Sequence, residues 1–113
     1  AQEAKDLPVR IYVMVGQSNM QGKGSIEGEG SNTLRHLVQN DRNKEFQFLV
    51  GEDGTWRERS DVWIHYDSGP GNIRYGGLKP GYGSYGGLIG PELGFGHVMG
   101  DACQGQVLLI KAC

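Results

Sequence analysis

The residues with the most evident chemical potential lie together near the start of the chain, in Gly16-Gln17-Ser18-Asn19-Met20-Gln21-Gly22. Ser18 offers a hydroxyl nucleophile, weak alone but usable where a base or aligned N–H groups assist it. A serine just past the carboxyl end of a parallel strand sits where α/β proteins place their ligands. If one helical turn follows, the backbone amides around Ser18 face developing negative charge, as acyl transfer through an oxyanion requires. Gly16 lets the chain turn sharply. By residue type alone the segment also reads as a plain Asn/Ser/Gly turn.

The elements needed to position Ser18 are legible as patterns. Val9 to Val15 is nearly continuous in β-branched and aromatic residues, which predicts a strand buried on both faces, as in a parallel sheet. Residues 22–33 are rich in Gly, Ser and Glu and read as a loop. Ser31, Asn32 and Thr33 are helix-capping candidates, and Leu34, Leu37 and Val38 predict a short helix to about Asn43. Phe46 to Val50 reads as a short strand or a helix end, and Glu52-Asp53-Gly54 as a turn. Val62 to Tyr66 is a second strand candidate. Gly69 to Gly90 reads as one long loop, of the kind that usually has a function of its own.

Pro91 suits a first helical position, and Glu92 then complements the helix dipole. Phe95, Val98, Met99 and Ala102 fall on one apolar face. Gly94, Gly96 and Gly100 weaken this helix but permit close packing on a sheet. Val107 to Ile110 is the next buried strand. The succession strand, helix, strand predicts a βαβ-type parallel sheet.

Composition narrows the function classes. The 113 residues carry 11 basic and 13 acidic side chains, a net charge of -2, so no basic stripe favours nucleic acid. Mean hydropathy is -0.45, and no apolar run reaches the roughly 20 residues of a membrane helix. With 37% hydrophobic residues the chain can form one modest core. Twenty glycines are about 18% of the chain against a usual ~7%. Cys103 and Cys113 read as small buried hydrophobes rather than a disulfide. Residues 1–113 are expected to form a single domain, with 1–7 as linker or disorder. The small, polar start fits a mature exported protein, secreted or periplasmic. The final run Val107-Leu108-Leu109-Ile110-Lys111-Ala112-Cys113 reads as a buried strand and gives the expectation that the domain continues beyond it.

Gly16-Gln17-Ser18-Asn19 resembles the first block of the SGNH (GDSL-like) hydrolases. The resemblance is closer to the sialate O-acetylesterase-like group among the carbohydrate acetylesterases. That group has a strand followed by G-Q-S-N-M-x-G, then G-P-E-L-x-F-G, here Gly90 to Gly96, then V-L-L-I-K-x-x, here Val107 to Cys113. Asp61-Val62-Trp63-Ile64 and Gly76-Gly77-Leu78 also resemble family segments, so the likeness runs in order over about residues 8–113.

The resemblance implies an α/β SGNH (flavodoxin-like) three-layer sandwich with a parallel sheet. It implies Ser18 as nucleophile and as one oxyanion donor through its own N–H. Gly90 is implied as a second donor, and Gln17 and Asn19 as substrate-binding residues. No metal or organic cofactor is implied, and the implied partner is an acetylated carbohydrate, with neither nucleic acid nor membrane. The group's D-x-x-H base is not visible. Asp61 and His65 are four apart, His97 precedes Asp101, and His36 follows Arg35 in a predicted helix, so each histidine reads as structural or solvated. The missing carboxyl-terminal part of the domain is an expected partner.

Gly81-Tyr82-Gly83-Ser84-Tyr85-Gly86 fits G-x-G-x-x-G, but Lys79-Pro80 stands where a strand should precede it, so a dinucleotide site is not expected. The aromatic set Trp56, Trp63, Tyr66, Tyr75, Tyr82 and Tyr85 suits packing and loop anchoring first, sugar stacking second. The expected function is a serine esterase that removes O-acetyl groups from a carbohydrate. The alternative is a non-catalytic carbohydrate-binding or degenerate module without the base. An acyltransferase would use the same acyl-enzyme.

Overall fold

The computed structural model describes residues 8–42 and 44–113. The expectations for residues 1–7 and for a helix end at Asn43 lie outside the described residues. A four-stranded sheet has the order β1 (Arg10–Val15), β6 (Val107–Ala112), β3 (Arg59–Asp67), β4 (Ile73–Leu78). β6 runs parallel to β1 on one side and to β3 on the other, while β4 is antiparallel to β3. The short strands β2 (Gly24–Ser25) and β5 (Leu88–Ile89) form a separate antiparallel pair.

Strand parity builds the core. Met14, Val62, Ile64, Val107 and Leu109 point to one face and join Leu78, Leu93, Leu34, Val38 and Leu49 in a single buried cluster. The helix α3 (Glu92–Ala102) lies on this face. It does not use the apolar stripe that the sequence predicts. Val98 and Ala102 are exposed, Phe95 is only partly covered by an edge-on contact with Tyr12, and the buried side is Glu92, Leu93, Gly96, His97 and Gly100. The reason is distance of approach. A Cβ on Gly96 would lie 2.4 Å from Leu78 Cδ2, and one on Gly100 2.6 Å from Val62 Cγ2. The two glycines, one turn apart, let the helix backbone rest on the sheet side chains.

Three further expectations are corrected. β1 is not buried on both faces, because it is an edge strand of which Ile11, Val13 and Val15 are 56–64% exposed. The outer face runs on through Leu108 and Ile110 to Trp63, His65 and Tyr75 in register, and no described helix covers it. The architecture of the described residues is therefore a mixed sheet, parallel through β1, β6 and β3 and antiparallel at β4, with helices on one face, so it matches the expected three-layer sandwich with a parallel sheet only in part. The predicted loop Gly69–Gly90 contains β4. Its glycines hid it, and they are needed there. β4 passes a register shift between Arg59 and Trp63, and a Cβ on Gly77 would lie 2.6 Å from Arg59 O.

The remaining segments close against the core face. Helix α2 (Leu34–Gln39) starts at Thr33, whose hydroxyl accepts from the His36 N–H at 3.1 Å. Phe46–Val50 forms a 3₁₀ turn at Gln47–Leu49, not a strand. Arg35 donates twice to Glu27, at 3.0 and 2.8 Å, and Trp56 Nε1 donates to the same carboxylate at 2.9 Å. These bonds, Arg35 first, hold Glu27 down to about 2 and tie the 22–33 loop to the turn after residue 50. Both cysteines are half-buried thiols, Cys103 beside the Tyr12 hydroxyl and Cys113 beside that of Tyr66.

Candidate active site

Three parallel strands direct their carboxyl ends, Val15, Asp67 and Ala112, to one edge of the sheet. Ser18 opens α1 (Ser18–Gln21), a single turn that follows β1 after Gly16 and Gln17. Met20 and Gln21 N–H groups both donate to Gln17 O, at 2.9 and 3.1 Å, and Gly22 N–H donates to Ser18 O at 3.0 Å. The N–H groups of Ser18 and Asn19 come too early in the turn to have partners within it. Gln17, Ser18 and Asn19 are all exposed.

The structure brings Gly90 to this turn. Gly22 has φ +86°, and a Cβ there would lie 2.2 Å from Gly90 Cα and 2.6 Å from Gly90 N. A Cβ on Gly90 would in turn lie 3.0 Å from both Gln21 O and Gly22 Cα. The two backbones thus touch, which only side-chain-free positions permit. The Gly90 N–H, however, is not a free donor, as its implied oxyanion role would need. It donates to Glu92 Oε2 at 2.9 Å. A carboxylate two residues on competes with any oxyanion for that proton.

Glu92, which by sequence only complements the helix dipole, belongs to a buried polar node. Its Oε1 accepts from Lys111 Nζ at 2.6 Å, and both side chains are fully buried. Lys111 Nζ also donates to Gln21 O and to Tyr82 O, each at 2.7 Å, and lies 4.6 Å from the centre of the Tyr66 ring. All three ammonium hydrogens are used. Lys111 shares its row with Met14 and Tyr66, so it stands on the core face. The parity 107, 109, 111 marks it as inward and is the signal that could have found it. One lysine therefore pins the end of the Ser18 turn, the Tyr82 loop and the first turn of α3.

The histidines lie elsewhere. His36 Nδ1 is 3.4 Å from the Asn40 side-chain amide, His65 stacks on Tyr75, and His97 is buried beside Arg59. Among the described residues none is hydrogen-bonded to Ser18, and no cluster of His, Cys, Asp and Glu is placed to hold a metal ion. Burial, aided by the Cys113 thiol, pushes the Tyr66 phenol up to about 12, so it stays neutral.

The Ser18 turn at the carboxyl edge, in backbone contact with a Gly-Pro-Glu helix start, lies within a segment that a family model matches. The model of a carbohydrate esterase family, the sialic acid-specific acetylesterases, matches residues 8–113. The chain belongs to this family. The match spans β1 to β6, so both the Ser18 turn and the Glu92–Lys111 node fall inside the family domain. No curated protein and no solved structure gives a significant match. Membership in this esterase family makes hydrolysis of a carbohydrate ester the general class of chemistry, with an acetylated carbohydrate as the class of substrate.

Proposed function

We propose that the protein is a serine O-acetylesterase acting on a carbohydrate, with Ser18 as its nucleophile. The observation that carries this reading is the contact of Gly22 with Gly90, which fixes the Ser18 turn at the carboxyl edge of the sheet. Ser18 Oγ attacks the acetyl carbonyl, the sugar oxygen leaves with the proton, and water then releases acetate from the acyl-serine. The Ser18 N–H serves as oxyanion donor, and Gly90 joins it only when Glu92 releases its N–H. Gln17 and Asn19, exposed on either side, are substrate contacts in this reading. The family's three-layer sandwich belongs to the same proposal, supported by the uncovered apolar outer face.

A positioned general base is typically worth about 10²–10⁴-fold. With no described histidine on Ser18, the 113-residue chain should turn over acetyl esters slowly. An activated acetyl ester should nonetheless leave one acetyl group on Ser18, seen by peptide mass spectrometry, and Ser18→Ala should remove it. Acetylation at other residues with none at Ser18 would defeat the reading. The engaged Gly90 N–H favours a second reading, a carbohydrate-binding module without turnover. Glycan binding with no Ser18-dependent acetylation would establish that one.

A further inference from the structure

The pair Glu92–Lys111 is fully buried and touches the Ser18 turn through Gln21 O. A buried ion pair is weak evidence of stability, because desolvation offsets much of its attraction. The placement of this one points to another role. Glu92 Oε2 accepts from the Gly90 N–H at 2.9 Å while Oε1 holds Lys111. The carbonyl of the same peptide, Ile89 O, faces the nucleophile turn, 2.5 Å from where a Cβ on Gly22 would stand. Carbonyl and N–H point in opposite directions across a trans peptide, and no described peptide is cis. The Ile89–Gly90 peptide therefore shows the Ser18 turn an acceptor, the wrong sign for an oxyanion, and gives its donor to Glu92.

The junction is built to turn. β5 ends at Ile89 and α3 begins at Glu92, and Gly90 between them has no side chain to resist rotation of the peptide. Release would strand no charge. Glu92 keeps Lys111, and Lys111 keeps Gln21 O and Tyr82 O, each at 2.7 Å. Freeing the N–H thus costs about one hydrogen bond to a charged acceptor rather than a buried lone ion. A developing oxyanion at Ser18 is itself charged and can compete for that proton. A glutamate that merely caps a helix needs no buried cation behind it.

We propose that Glu92 is a positioning residue for the Ser18 reaction, a latch that holds the Gly90 N–H turned away from Ser18 until an oxyanion competes for it. The inference rests on the esterase reading. Glu92→Gln is its isosteric test. The amide oxygen stays on Lys111, so the amide NH₂ faces the Gly90 N–H, and two donors cannot bond. Lys111 remains to hold Gln21 O. With p-nitrophenyl acetate, the bond from Ser18 Oγ to the acetyl carbon forms as the ester C–O bond breaks, and p-nitrophenol leaves with the serine proton. Ser18 acetylation, timed by peptide mass spectrometry, should be about 10–100-fold faster in Glu92→Gln, the worth of one hydrogen bond to a charged acceptor. A carboxylate that only capped α3 or supported the fold would on removal leave the rate equal or lower, and either result would overturn the proposal. Asp101→Asn, an acid lost from the other end of α3, should leave the rate unchanged; an equal acceleration there would also overturn it.

A second measurement needs no variant. Methylboronic acid adds to Ser18 Oγ as a tetrahedral, negatively charged boronate, the new B–O bond forming as the hydroxyl proton passes to solvent, and so mimics the oxyanion intermediate. In the ¹³C-labelled chain the Glu92 carboxyl carbon should then shift, because Oε2 loses its donor. A boronate on Ser18 with an unmoved Glu92 carboxyl would overturn the latch, whether or not Glu92→Gln folds. No Ser18 acetylation in either chain would defeat the esterase reading and this inference with it, whereas Ser18 acetylation at equal rates would defeat the latch alone.

Discussion

A buried cation lies beneath each end of α3, and the two are used differently. Under the first turn, Lys111 is fully buried, its partner Glu92 is fully buried, and its remaining hydrogens hold carbonyls of the Ser18 turn and the Tyr82 loop. Under the last turns, Arg59 is buried, but its partners Asp61 and Asp101 are 47% and 76% exposed. Arg59 donates to Asp61 at 2.9 and 2.8 Å, to Asp101 at 2.7 Å and to His97 O at 3.2 Å. The first node has no water to fall back on and reaches the candidate site. The second is a clamp between β3 and α3 whose acids are already solvated. A charge enclosed with its partner can fix geometry, while one shared with solvent mainly fastens two elements together.

The largest expected effect separates the two nodes. Lys111→Met leaves the Glu92 carboxylate buried and alone and should cost about 3–5 kcal/mol of stability, read by chemical denaturation. Arg59→Met strands no buried acid and should cost less, about 1–3 kcal/mol from its charged hydrogen bonds. Equal losses would erase the distinction. Pairing Lys111→Met with Glu92→Leu should recover much of the stability, since an apolar pair can replace a buried ion pair. It should not recover Ser18 acetylation, because Gln21 O is then unheld.

The glycines of α3 give the next effect. Gly96→Ala places a methyl 2.4 Å from Leu78 Cδ2 and should cost about 1–3 kcal/mol by overpacking. Gly94→Ala meets nothing within 4 Å on the open side of the same helix and should stabilise by about 1 kcal/mol. Thermal melts of the two variants moving in one direction would refute the assignment of the buried face.

The smallest effect is a pH dependence confined to the Arg59 end. Burial, then the charges of Arg59 and Arg57, hold His97 below its ordinary 6.5, with Asp101 and Asp61 opposing. The unfolded chain therefore binds the proton more readily than the folded one. Stability is complete above about 6.5 and falls as the pH drops from there through the lowered value, with a slope of at most about 1.4 kcal/mol per pH unit. His97→Phe should flatten that segment of a Tm-against-pH curve. An unchanged curve would remove His97 as its cause.

The contrast also explains which parts of the molecule could be read in advance. β1, β3, β6 and α3 announce themselves because their patterning is local: β-branched runs and a Pro-Glu helix start. β4 does not, because Gly76 and Gly77 are required by the strand beside it, and no local pattern reports a neighbour. The packing face of α3 departs from its apolar pattern for the same reason. Phe95 and Val98 advertise an apolar stripe, whereas the sheet needs the side with the least bulk. Ser18 and Gly90 were legible as separate motifs. Their contact, and the capture of the Gly90 N–H by Glu92, depend on Lys111 arriving from β6, which no spacing within either motif encodes.

The meeting of Gly22 with Gly90 has a consequence for how variation can accumulate in this protein. Neither position has room for a side chain while the other backbone stays in place, and at Gly22 the backbone angle adds a second prohibition. Two sites far apart in the chain therefore behave as one locus, and a compensating change at either cannot restore the other. Any lineage that drifts at one of them separates the serine's turn from the helix start, even if every reactive atom survives.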